Sequence, residues 1–83
     1  MAEIVKLQYP ITVAGEEITE LRIRRPKMRD MKSANKVKDD LEKSLKMIVD
    51  LAEITPEAAD ELDPVDFSKA AGVVGNFMAE LAE

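Results

Sequence analysis

Apolar and polar residues alternate along the first part of the chain, with the apolar ones at odd positions. These positions are Val5, Leu7, Tyr9, Ile11 and Val13. A period of two predicts a β-strand with one buried face. Pro10 lies inside this strand and has no N–H to donate, so we expect an edge strand or a break near Tyr9.

A second alternating segment follows an acidic turn. The turn is predicted at residues 14–17, where Gly15 can take a positive φ. Residues 18–24 then form a strand with Thr19, Leu21 and Ile23 on one face. Ile18 falls on the opposite face, which indicates a bulge in the turn. Pro26 ends the strand, so residues 1–25 are predicted to form an antiparallel β-hairpin.

The remainder of the chain has helical character. Residues 26–36 predict a short helix or a loop, in which Met28 and Met31 could face a core one helical turn apart. Apolar residues recur at helical spacing over residues 37–53 and predict the first long helix. Thr55-Pro56 and Asp63-Pro64 each combine an N-cap residue with a proline at the first helical position. They predict a short helix at 56–62 and a last helix at about 64–81.

The last helix has three distinct faces at 100° per residue. Its apolar face holds Phe67, Ala70, Val74, Phe77, Met78 and Leu81, and its polar face holds Lys69, Asn76, Glu80 and Glu83. Small residues form a seam between them: Ser68, Ala71, Gly72, Gly75, Ala79 and Ala82. A glycine inside a helix costs roughly 1 kcal/mol relative to alanine, so the seam indicates close approach of another backbone. That backbone belongs either to helix 37–53 or to a partner helix.

These elements predict an α+β fold in which an N-terminal hairpin is packed against three to four α-helices. We expect a single domain over residues 1–83, with the hairpin at 1–25 and the helical part at 37–83. The chain has 83 residues and no cysteine. A domain of this size without disulfides often gains stability from a partner or from self-association.

Composition excludes most catalytic chemistry. The chain has no His and no Cys, so thiol nucleophiles, imidazole bases and Cys/His zinc sites are impossible. An acidic stretch could bind a hard cation: Asp60, Glu61, Asp63 and Asp66. Asp63 and Asp66 are better explained as a helix cap and a first-turn residue. We therefore expect that the protein is not an enzyme and that it binds neither a cofactor nor a metal ion.

Charge is distributed unevenly along the chain, whose net charge is −5. Residues 1–38 carry nine Lys and Arg against five Asp and Glu, whereas residues 39–83 carry three against twelve. We call the following residues the basic pole: Arg22, Arg24, Arg25, Lys27 and Arg29. Arg22 and Arg24 are expected on the solvent face of an exposed strand. The basic pole could bind nucleic acid, but no aromatic residue interleaves its charges, so an acidic protein or a second copy is the better partner.

Three segments together resemble the small tail assembly chaperones of contractile-tailed phages and prophages. They are I-T-V-A-G-E-E-I-T-E-L-R-I-R-R-P at 11–26, I-T-P-E-A-A-D-E-L-D-P-V-D-F at 54–67 and A-A-G-V-V-G-N-F-M at 70–78. In that family a hairpin with the pattern G-x-x-I-T-x-L-x-L-R-x-P precedes a variable helical middle. An L-T-P-x-E … L-D-P-x-D segment and a final apolar helix follow. Here Ile54 stands in place of the usual Leu before Thr55-Pro56. The middle of the chain is shorter and more charged than is expected for that family.

The resemblance implies a non-enzymatic assembly factor that binds the tape measure protein and keeps it soluble until the tail tube polymerises around it. It further implies a cytoplasmic protein of the bacterial host that is absent from the virion, and often a longer frameshifted form. No apolar run reaches the length of a membrane span and no signal peptide opens the chain, which favours the same location. The predicted contact residues lie on the last helix: Phe67, Ala71, Gly72, Val74, Gly75, Phe77 and Met78. A homo-oligomer is also expected.

Overall fold

The hairpin comprises β1 (Ala2–Val13) and β2 (Glu16–Arg24) in the computed structural model, which describes residues 2–80. The two strands pair antiparallel around the two-residue turn Ala14-Gly15. Both turn residues have positive φ, 53° and 81°. The prediction of a positive φ at Gly15 is confirmed. A two-residue turn with positive φ at both positions has the twist that antiparallel strands require.

The pairing of the strands shifts register in the middle of the hairpin. Lys6 pairs with Glu20, and the next pair is Ile11 with Ile18, so residues 7–10 lie opposite Thr19 alone. The predicted break near Tyr9 is confirmed. The predicted position of Ile18 is wrong: it is half-buried against the core, and Thr19 is exposed. The bulge that changes the face lies within the strands and not in the turn.

Within residues 2–80, four helices follow the hairpin, and side-chain caps mark the starts of three of them. They are α1 (Met28–Asn35), α2 (Asp40–Ala52), α3 (Pro56–Asp60) and α4 (Pro64–Ala79). Asp39, Thr55 and Asp63 accept backbone N–H bonds at the starts of α2, α3 and α4. Because Asp39 caps α2, that helix begins three residues later than its apolar pattern predicted. The ambiguous segment 26–36 contains a helix.

The helices pack on one face of the hairpin and enclose a single apolar cluster. Leu21 and Ile23 of β2 meet Ile48 and Leu51 of α2, and all four are at most 1% exposed. Ala70 of α4 is also fully buried there. α4 packs on both strands and on α2, and α1 packs on α2. The predicted α+β class, a hairpin with packed helices, is confirmed.

Candidate functional site

An apolar groove separates α1 from α4. Their Cα atoms stay more than 8 Å apart, although both helices lie beside α2. The groove consists of two hollows of about 180 and 140 Å³, which share no lining residue but are each lined by residues of both α1 and α4. The first is lined by Ala34, Lys43, Ser44, Met47, Ala71, Val74 and Met78, and the second by Arg25, Pro26, Lys27, Met28, Met31 and Phe77. We call this surface the methionine groove.

Methionine supplies much of the groove wall. Four of the five methionines line it, and Met1 lies outside the described residues. Met28 is 74% exposed, while Met31 and Met78 are half-buried. The thioether side chain is flexible and polarisable, so such a surface can repack around different apolar partners.

An ion pair fixes α1, one wall of the groove, to the hairpin. The guanidinium of Arg24 donates two hydrogen bonds to Asp30, at 2.9 and 3.0 Å, and a third at 3.3 Å to the carbonyl of Asp50 in α2. The Lys27 N–H also donates to Asp30 at 2.7 Å. The hydrogen bonds from Arg24 outweigh burial and lower the pKa of Asp30 to about 2. Arg24 thereby joins β2, α1 and α2.

A buried carboxylate fixes α4, the opposite wall. Asp66 is fully buried and accepts the backbone N–H of Gln8 at 2.8 Å and that of Tyr9 at 3.0 Å. These amides belong to the part of β1 where pairing with β2 is interrupted. Burial acts to raise the pKa of Asp66, but the two amides and the charge of Lys69 outweigh it, and the pKa lies below its usual value. Asp66 thus satisfies donors that the bulge leaves without a strand partner.

The structure places four of the seven predicted contact residues in the groove: Ala71, Val74, Phe77 and Met78. Phe67 is half-buried and packs against the core, as Val74, Phe77 and Met78 also do, but it lines neither hollow. Gly72 and Gly75 are exposed, and a Cβ atom added to either would meet no atom within 4 Å. Gly72 and Gly75 therefore do not pack against α2, and close approach of a partner helix stays a prediction.

The basic pole is divided between several environments. Arg24 is engaged with Asp30 and Glu53, so its predicted place on a solvent face is wrong. Arg25 forms an ion pair with Glu80 at 2.7 Å and lies 6.0 Å from the centre of the Phe77 ring. Arg22 is exposed on the outer face of the hairpin, Lys27 borders the groove and Arg29 is exposed on α1. This dispersion disfavours a continuous surface for nucleic acid.

Sequence reasoning did not assign the α1 and α2 side of the groove to the site. Met28, Met31 and Met47 lie there, together with Ala34 and Lys43. The spacing of Met28 and Met31 by one helical turn was a usable signal, but a core position explained it equally well. The placement of α1 away from α4 leaves Met28 exposed and Met31 half-buried, whereas Met47 and Ala34 are buried where they line the first hollow.

Other kinds of site find little support in residues 2–80. No group of three or more acidic side chains there could hold a metal ion, since Asp63 caps α4 and Asp66 binds β1. Within the same residues, no helix combines the length and the apolar character needed to cross a membrane.

A comparison with known protein families gave a match over nearly the whole chain. Residues 4–79 match the family model described as phage tail assembly chaperone proteins, E, or 41 or 14. The chain belongs to this chaperone family. The family resemblance predicted from the three sequence segments is thereby confirmed. Membership of the chaperones indicates protein partners in tail assembly and a non-enzymatic role. Neither the curated proteins nor the solved structures yielded a match.

Proposed function

We propose that this tail assembly chaperone binds an apolar helical segment of the tape measure protein in the methionine groove and keeps that protein soluble during tail assembly. The observation that carries the proposal is the groove itself. Val74, Phe77 and Met78 line it from α4, and Met28 and Met31 line it from α1. Met47 of α2 also lines its first hollow. A helix laid into such a groove buries its apolar stripe.

The glycine seam supports the same binding mode. At 100° per residue, Gly75 projects beside Ala71 and Met78, on the solvent side of the groove. The open space above Gly75 allows the backbone of an incoming helix to approach α4 closely. A larger side chain at this position would obstruct the helix without disturbing the core.

The remaining elements of the proposal follow from the family and from charge. The chaperone acts in the cytoplasm of the bacterial host, is absent from the virion and self-associates, and a longer frameshifted form shares its N-terminal part. Many acidic copies bound along one client would add mutual repulsion, because each copy has a net charge of −5.

Co-expression with the tape measure protein from the neighbouring gene tests the proposal. Val74→Asp and Gly75→Leu are expected to leave most of the client insoluble, because one puts a charge in the groove and the other fills the space above the seam. Matched controls are Ile4→Asp, on the outer face of the hairpin, and Asn76→Leu, on the neighbouring exposed position of α4. Circular dichroism verifies that each variant is folded. Equal client solubility with the groove variants and the controls would contradict the proposal.

A further inference from the structure

The charged residues that line the methionine groove are all cationic. Among residues 2–80, its lining includes Arg25, Lys27 and Lys43 and no carboxylate. The hollow between α2 and α3 has Glu42 and Asp60 beside Lys46, and the hollow next to the hairpin turn has Glu16 and Glu53. A purely cationic lining is therefore a local property of this groove in a chain of net charge −5.

Two of these cations have no internal partner in the described structure. Arg25 is held by both carboxylate oxygens of Glu80, at 2.9 and 2.7 Å. By contrast, neither Lys27 nor Lys43 forms an ion pair within residues 2–80. Lys27 lies in the hollow that holds Phe77, and Lys43 lies in the one that holds Met78. Each hollow of the methionine groove therefore contains one of these two lysines beside its apolar residues.

We infer that the groove selects an amphipathic helix whose apolar stripe is flanked by carboxylates. This inference rests on the proposed function and specifies the chemistry of the client segment. The stripe covers the methionines and Phe77, while acidic residues beside it pair with Lys27 and Lys43 at the rim. Rim charges contribute modestly to affinity and strongly to the choice of partner, because a cationic helix meets repulsion at both lysines.

Three synthetic helical peptides test the inference by fluorescence anisotropy. The first has an apolar stripe with glutamate flanks, the second has the same stripe with lysine flanks, and the third has glutamates with the stripe scrambled. The first peptide is expected to bind at least about tenfold more tightly than the second. Its affinity is expected to fall as the salt concentration is raised. The third is expected not to bind. Equal binding of the first two peptides would overturn the inference.

Paired variants locate the selectivity on the chain. Lys27→Gln combined with Lys43→Gln is expected to weaken binding of the acidic peptide about 3- to 10-fold and to remove its preference over the basic one. The control, Lys6→Gln combined with Arg22→Gln, removes the same charge from the outer face of the hairpin. It is expected to preserve both the affinity for the acidic peptide and the preference over the basic one. An equal loss in the control would overturn the inference. Two other results would also overturn it. In one, the free chaperone forms a dimer that dissociates in the lysine variant. In the other, the wild-type chaperone binds a DNA duplex in a salt-sensitive way and the lysine variant does not.

The two proposals fail in different ways. If Val74→Asp abolishes client solubility while the peptides show no charge preference, the inference fails and the proposed function stands. If the acidic peptide binds selectively and Val74→Asp leaves the tape measure protein soluble, the proposed function fails.

Discussion

Asp66 joins the last helix to the first strand through two backbone hydrogen bonds. Its removal in Asp66→Ala leaves the amides of Gln8 and Tyr9 without an acceptor in a region sheltered from water. We expect a larger loss of stability than in Asp63→Ala, which removes only a helix cap worth about 1 kcal/mol. Urea denaturation of the two variants measures the difference. Equal losses would show that Asp66 acts only as a first-turn residue.

Asp30 makes the stability of the fold sensitive to acid. Its pKa is about 2 in the folded protein, below its ordinary value of 3.8, because Arg24 and the Lys27 amide bind the carboxylate. The stabilisation is therefore complete above about pH 4 and is lost as the pH falls through 2. It amounts to about 1–2 kcal/mol, since the Arg24 side chain is partly exposed and solvent screens the pair.

The variant Asp30→Asn isolates this contribution. It is expected to be less stable than the wild type at neutral pH and to lose less stability between pH 4 and pH 2. Thermal unfolding across this range measures both quantities, and Asp39→Asn, an exposed cap, serves as the control. Parallel pH profiles of wild type and Asp30→Asn would contradict the assigned role.

At the scale of elements, caps and prolines made the starts of α3 and α4 predictable, because Thr55-Pro56 and Asp63-Pro64 act through local hydrogen bonds and a fixed proline φ. Long-range contacts were not predictable in this way. The second role of Asp66 depends on a bulge at the far end of the chain, and the ion pair of Arg24 with Asp30 depends on where α1 folds back. For the same reason the α4 side of the groove followed from periodicity, whereas its α1 side did not.

The exposed glycine seam of α4 costs stability in the free protein. Gly72→Ala and Gly75→Ala are each expected to raise the free energy of unfolding by about 0.5–1 kcal/mol, because an added Cβ meets open space and alanine favours the helix. Chemical denaturation at low protein concentration measures the gain. A loss of stability would indicate that the seam is already packed against a second copy in the free protein.

At the scale of the whole molecule, two buried carboxylates attach the two helices that line the groove to the hairpin. Asp30 fixes α1 through Arg24, and Asp66 fixes α4 through β1, while the core of the hairpin and α2 lies between these anchors. The apolar groove is therefore present in the structure without a partner, and under the proposed function it need not open to admit a client. A preformed groove binds with a smaller entropic cost than one that must be ordered.

Methionine methyl groups report directly on this groove. In a protein labelled with ¹³C at the methionine methyls and at the isoleucine δ1 methyls, four of the five methionine signals come from groove residues: Met28, Met31, Met47 and Met78. Adding a soluble tape measure fragment is expected to shift these four signals, while the methyl signal of Ile4 on the outer face of the hairpin stays in place. If a stable complex forms with the four methionine signals unchanged, the methionine groove is not the client-binding site.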